Sequence, residues 1–202
     1  MILTILAIIT VLIILFWMFR IFFLRDPQRT KPAGRVIVAP ADGKIMAVLD
    51  VADQIQRTKG VAKIETFCKD VDSHCILIAI FMSPLSVHYQ RVPLSGEVIS
   101  VTYSPGRFKP SQYLENGLWN EKTETLLKTE IGNIKVVQIA GIFVRRIENF
   151  LKGNQRVTTT DKLGLIHFGS QVWAILPKKD TIHVTVAVGD KVSAGQSIIA
   201  TY

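Results

Sequence analysis

Four histidines, two cysteines and one Gly-Ser step between two β-prone runs are the residues whose types bear most on chemistry in this chain. His74, His88, His167 and His183 occur with no H-x-H, H-x-x-x-H or H-E-x-x-H spacing, so no metal site is read from them. No G-x-S-x-G elbow prepares a serine for a hydrolytic triad, and no Walker or dinucleotide glycine pattern is present. Cys68 and Cys75 are too few for a disulfide scaffold or a four-thiolate zinc site. They are near enough to bridge, but buried free thiols are the expectation.

The remaining candidate is Gly169-Ser170. It closes the run Leu163–Phe168 and precedes a second run, Val172–Leu176. Glycine has no side chain to obstruct its carbonyl, so the Ser170 hydroxyl can attack it. An N→O acyl shift then yields an ester. β-Elimination leaves Ser170 as dehydroalanine, and tautomerisation with loss of ammonia leaves a pyruvoyl group. Backbone strain at the turn assists, because the trans amide has to leave planarity before attack.

The elements that must hold this step are strands. β-Prone runs cover Val36–Ala39, Lys44–Leu49, Cys75–Phe81, Gly96–Tyr103, Thr123–Thr129, Lys135–Ile139, Leu163–His167, Val172–Leu176, Ile182–Val188 and Ser197–Thr201. Turn pairs separate them: Asp42-Gly43, Ser95-Gly96, Pro105-Gly106, Gly132-Asn133, Gly153-Asn154 and Gly189-Asp190. Ile142–Leu151 reads equally as a short helix or a further strand. Val36–Lys44 and Val184–Ala194 echo each other as strand, acidic turn, strand, in the manner of a lipoyl-carrier hammerhead, although Lys44 lacks a carrier lysine's setting. The expected fold is mainly β, a barrel or sandwich with hammerhead-like elements, behind an N-terminal transmembrane helix.

That helix is legible in Met1–Phe19, which carry no charge over 202 residues' first nineteen and span about 28 Å as a helix, near the hydrocarbon thickness. A basic leader and a small-residue cleavage site, the marks of a signal peptide, are missing. Residues 20–35 set Arg20, Arg25, Arg29, Lys31 and Arg35 against Asp26 alone. Positive-inside logic puts the following domain on the cytoplasmic side of the cell membrane, its basic collar against anionic headgroups. The expected division is 1–24 anchor, 25–35 basic linker and 36–202 catalytic domain. The whole chain carries a net charge of +8. The collar accounts for much of it, and no basic run interleaved with aromatics points to nucleic acid.

Six collinear stretches resemble the short-form phosphatidylserine decarboxylases and their archaetidylserine-type relatives. Phe22–Arg29 (FFLRDPQR) is similar to that family's F-F-R-D-P-x-R, and Ala39–Lys44 contains its P-A-D-G. Met82–Pro93 resembles S-P-x-x-V-H-x-x-R-x-P, and Tyr103–Phe108 resembles Y-x-P-G-x-F. Ile139–Gly141 with Arg145-Arg146-Ile147 looks like A-G-x-x-A-R-R-I, and Leu163–Ser170 looks like G-x-I-x-F-G-S. The resemblance implies self-cleavage at Gly169-Ser170 into chains 1–169 and 170–202, with Ser170 as the precursor of a covalent pyruvoyl cofactor that forms a Schiff base with the serine phospholipid. It implies that Asp42 supports self-cleavage and that His88 handles the proton. Arg91, Arg145 and Arg146 are candidates for the substrate's phosphodiester or carboxylate. The implied partners are an anionic membrane, the serine phospholipid and a second copy of the chain, with no metal.

The sequence departs from the pattern in places. Asn120-Glu121-Lys122 replaces N-E-R, Gln171-Val172-Trp173 replaces R-V-D, and 148–161 diverge. A competing reading is a non-catalytic, membrane-anchored hammerhead module for binding or adaptation, which explains the anchor and strands but leaves Asp42, His88 and Gly169-Ser170 without purpose.

Overall fold

A helix that is apolar all round needs an apolar solvent, and the chain begins with one. The computed structural model describes residues 2–51, 62–142, 146–166 and 169–202. Its first helix, α1 (Ile2–Phe23), has 22 residues, about 33 Å at the helical rise, and Arg20 is the basic residue of its last turn. Its large side chains from Ile2 to Phe22 are exposed, and none of its membrane-length window is buried by the rest of the chain. This helix is a candidate membrane span.

The end of α1 is fastened to the folded domain. Phe23 is buried and its ring stacks on that of His88, with centroids 3.8 Å apart. Arg25 donates to the carbonyls of Phe22 at 2.8 Å and Leu85 at 2.6 Å.

The rest is mainly β. The strands are β1 (Val36–Val38), β2 (Gly43–Asp50), β3 (Cys75–Met82), β4 (Tyr89–Arg91), β5 (Gly96–Ser104), β6 (Lys122–Thr129), β7 (Gly132–Ile139), β8 (Ile147–Asn149), β9 (Arg156–Val157), β10 (Lys162–Ile166), β11 (Ser170–Pro177), β12 (His183–Val184), β13 (Lys191–Val192) and β14 (Ile198–Thr201). A short helix, α2 (Ala62–Cys68), precedes β3, and a 3-10 turn occupies Leu114–Leu118. An eight-stranded antiparallel sheet, ordered β13-β2-β3-β11-β7-β6-β5-β9, curls into a half-barrel. Two three-stranded sheets, β1-β14-β12 and β4-β10-β8, complete the fold.

The period-two alternation of the central strands divides the core. Ile78, Ile80 and Met82 of β3, with Val172, Ala174 and Leu176 of β11, enter the larger cluster. Leu77, Ala79, Trp173 and Ile175 face the opposite side, against Phe67 of α2. Both faces of these strands are covered, which is why β3 reads as a continuous apolar run. Trp173 is fully buried, meets Phe67 edge-on at 5.5 Å, and donates from Nε1 to Gln171 Oε1 at 2.8 Å. Trp173→Ala is expected to cost about 3–5 kcal/mol, read as a lower urea midpoint of the detergent-solubilised chain. A loss below about 1 kcal/mol would show that this side of the sheet is not a packed core.

The echoed segments come together. β1 and β12 both pair with β14, and β2 pairs with β13 in the register Lys44↔Lys191. Within 142–151, which the sequence leaves open between helix and strand, the described residues include the strand Ile147–Asn149, while 143–145 lie outside the described residues. The expected strand Ile182–Val188 shrinks to two residues. One expectation is overturned: Cys68 and Cys75 are not free thiols but form a disulfide. The chain turns back between α2 and β3, which leaves the two Cα atoms 6.1 Å apart, within bridging range. At the other end, burial and Glu130 push the Tyr202 phenol up to about 12, so it stays protonated and donates to Glu130 Oε1.

Candidate active site

Gly169 and Ser170 stand where the chain enters β11. Gly169 has φ +51°, a left-handed conformation that glycine adopts without strain. Ser170 is the first residue of β11, opposite Met82 of β3 and fully buried, and its hydroxyl donates to the Met82 sulfur at 3.4 Å. The Gly169 carbonyl accepts a hydrogen bond from the Ser111 hydroxyl at 2.7 Å. Gly141 lies against the same carbonyl, so closely that a Cβ there would meet the oxygen at 1.7 Å.

Two side chains hold the loop that carries Ser111. Gln171, fully buried, donates from Nε2 to the carbonyls of Ser111 at 2.7 Å and Tyr113 at 2.8 Å. Asn120, also fully buried, accepts from the Lys109 N–H at 2.8 Å and donates to the carbonyls of Lys109 at 2.8 Å and Ala140 at 2.9 Å. Two stretches that depart from the family pattern therefore include the clamps on this loop.

A buried amide ladder joins the Ser170 end of the sheet to His88. Gln90 Nε2 donates to the His88 carbonyl at 2.7 Å and reaches the Met82 sulfur at 3.5 Å. Gln138 donates to Gln90 Oε1 at 2.9 Å, and Asn149 donates to Gln138 Oε1 at 2.9 Å and to Thr125 at 2.8 Å. The buried Gln90 and Gln138 amides gain partners in this way, which fixes the spacing between the two sheets. Met82 thus touches both Ser170 and the strand that begins after His88. The His88 side chain is fully buried against Phe23, and its carbonyl accepts from Ile166 N–H at 3.3 Å.

Asp42 sits in the turn before β2, and β3 separates that strand from β11. Its two carboxylate oxygens accept from Arg29 at 3.0 and 2.8 Å, and Oδ1 also accepts from Ala194 N–H at 2.7 Å. A cavity of about 470 Å³ opens beside it, lined by Arg25, Lys44 and Lys191 among others. Ser170 does not line that cavity.

The arginines divide. Arg91 is committed to the juxtamembrane segment: it pairs with Asp26 and donates to the carbonyls of Pro27 at 3.3 Å and Thr160 at 3.1 Å. Arg146 is exposed and pairs with Glu148 at 3.0 Å. Arg145 lies outside the described residues. Sequence reasoning missed Ser111, Gln90 and Gln138. Ser111 follows the Tyr103–Phe108 motif closely, but nothing in its local sequence marks it. Among the described residues no group of three or more His, Cys, Asp and Glu is placed to hold a metal ion.

The comparisons with known proteins bear on the same region. The family model for phosphatidylserine decarboxylase matches residues 16–200. A relative in Syntrophus aciditrophicus named phosphatidylserine decarboxylase proenzyme is 36% identical over 188 residues, 92% of this chain and 80% of that protein. One of the same name in Streptomyces avermitilis is 39% identical, covering 87% of this chain and 70% of the relative. A third, in Methanothermobacter thermautotrophicus, which bears the name "putative archaetidylserine decarboxylase proenzyme", is 38% identical over 91% of this chain and 81% of its own length. The match runs through the end of α1, the Asp42 turn, His88 and the Gly169-Ser170 step, and on it the chain belongs to the phosphatidylserine decarboxylase family.

Proposed function

We propose that this chain is a proenzyme that cuts itself between Gly169 and Ser170, converts Ser170 to a pyruvoyl group, and then releases CO₂ from the headgroup of a serine phospholipid. The observation that carries the reading is the Gly169-Ser170 step itself, with a left-handed glycine, a buried serine hydroxyl and a carbonyl already hydrogen-bonded. Its setting in a decarboxylase family supplies the substrate class.

In the first stage Ser170 Oγ loses its proton and bonds to the Gly169 carbonyl carbon, and the C–N bond breaks as the nitrogen takes a proton. Removal of the Ser170 Cα proton then expels the Gly169 carboxylate from Cβ. Water hydrolyses the resulting enamine, by way of its imine, to the ketone and ammonia. Asp42 is proposed to support proton removal in this stage, and release from Arg29 frees its carboxylate for that work. The pyruvoyl ketone, once made, supplies the electron sink for the carbanion left by loss of CO₂.

His88 is proposed to deliver the proton to that carbanion, since a protonated imidazole is a competent general acid. Its burial under Phe23 keeps water from doing so indiscriminately. Arg91, Arg145 and Arg146 are proposed for the phosphodiester or carboxylate. The exposure of Arg146 suits a bilayer-borne ligand, and the ties of Arg91 suit fixing the juxtamembrane segment beside it.

The helix and basic collar anchor the domain to an anionic membrane, as a homodimer of two-chain protomers, with the catalytic part on the cytoplasmic side. The Cys68–Cys75 bridge weighs the other way on sidedness, because reducing compartments disfavour disulfides. The test is ¹⁴CO₂ release from vesicles carrying carboxyl-labelled phosphatidylserine or archaetidylserine. Release from one or both is expected, with the matching ethanolamine lipid as product. A cleaved, folded protein that releases none from either removes this function and favours a binding module.

A further inference from the structure

The Ser111 hydroxyl can only donate to the Gly169 carbonyl, since a carbonyl oxygen has no proton to give. That carbonyl is the one the Ser170 hydroxyl must attack. Resting on the self-cleavage reading above, we propose that Ser111 is a catalytic residue of processing, the donor that stabilises the oxyanion formed when Ser170 Oγ adds to Gly169.

In that step the new Oγ–C bond forms as the carbonyl π pair moves onto the Gly169 oxygen, where the Ser111 O–H strengthens its hydrogen bond. Collapse returns the pair to the carbonyl and breaks the Gly169–Ser170 C–N bond. The net change is an isomerisation from amide to ester and needs no other reactant. The donor stands 2.7 Å from the oxygen before reaction, within the range an oxyanion requires.

Preorganisation separates this serine from an ordinary loop hydroxyl. Ser111 is buried, its carbonyl is held by Gln171 at 2.7 Å, and Gln171 is the residue next to the bond being broken. The clamp and the attacking serine are thus neighbours in one strand, and a shift of either moves the other. Gly141 completes the fit, because any side chain there would displace the Gly169 oxygen from its donor.

The experiment follows cleavage of freshly synthesised full-length chain by gel and intact mass, and so needs no lipid turnover. Ser111→Thr keeps a hydroxyl, while Ser111→Val has nearly the same shape without one. Loss of a single oxyanion donor slows reaction by about 10²–10³-fold. We expect Ser111→Val to cleave at least about 100-fold more slowly than Ser111→Thr, with Ser111→Thr near the native rate. Equal rates for the two variants, fast or slow, overturn the assignment, because then the hydroxyl is not what matters. A native chain that cleaves normally while both variants match each other leaves the proposed function standing. A native chain that never cleaves, like Ser170→Ala, removes the proposed function and this assignment together.

Discussion

Intact-mass measurement of the mature protein is expected to find two chains, of 169 and 33 residues, 202 less 169, in place of one. The second is expected to be blocked to Edman sequencing, because its first residue no longer carries an amine. Ser170→Ala should remain a single 202-residue chain, since it has no nucleophile. Asp42→Asn should also remain uncut while folding normally. That second outcome is the more informative, because in the intact chain the Asp42 carboxylate faces Arg29 and the Ala194 N–H. If Asp42→Asn cleaves readily, the residue belongs to the ion pair that ties the juxtamembrane segment to the turn at Ala194, and proton removal from Ser170 falls to another group. An active preparation that stays as one species would end the pyruvoyl reading altogether.

His88→Ala is expected to cleave, at least in part, yet lose most lipid decarboxylation. The two stages need opposite things. Processing needs a proton taken from a hydroxyl, whereas turnover needs one delivered to a carbanion. A carboxylate ionised at neutral pH serves the first and an imidazolium the second. Positioned general acids contribute about 10²–10⁴-fold, so the loss in CO₂ release should be at least about a hundredfold, measured beside a gel that scores cleavage. Normal cleavage with normal turnover would make His88 a packing partner for Phe23 and nothing more. Failure to cleave would mean that both stages draw on this side chain.

The parts of the molecule legible in the sequence are those whose signal is local. Turn pairs and alternating or continuous apolar runs located β2, β3, β5, β6 and β11 to within a residue or two, and β7 to within three, because each is long enough for its period to show. β4, β8, β9 and β13 have two or three residues each and are defined by their neighbours, so no period exists to read. The Gly-Ser step stands out in the sequence by its expected reactivity alone. Its surroundings are not legible there, because Ser111 meets Gly169, 58 positions further along, only once the chain between them has folded. Gln171 showed in the sequence only as a departure from a motif; its amide acquires a meaning from two carbonyls on a distant loop. The cysteines were misjudged for the same reason. A fold that returns on itself between them brings together what spacing alone left open.

The place of β11 in the sheet has a consequence for what the proposed cut would do. Ser170–Pro177 is an inner strand, paired along its length with β3 and over much of it with β7. The 33-residue segment also gives β13 to β2 and β14 to β1. Breaking the Gly169–Ser170 bond as proposed would therefore change almost nothing in the native state, whose pairings would persist as pairings between two chains. The change would fall on the unfolded state, where the fragment would be free to diffuse away and its former effective concentration would be lost. Before the cut, the docking of β11 onto β3 and β7 is an event within one chain, the same at any protein concentration. Afterwards it obeys mass action, and dilution itself becomes a denaturant.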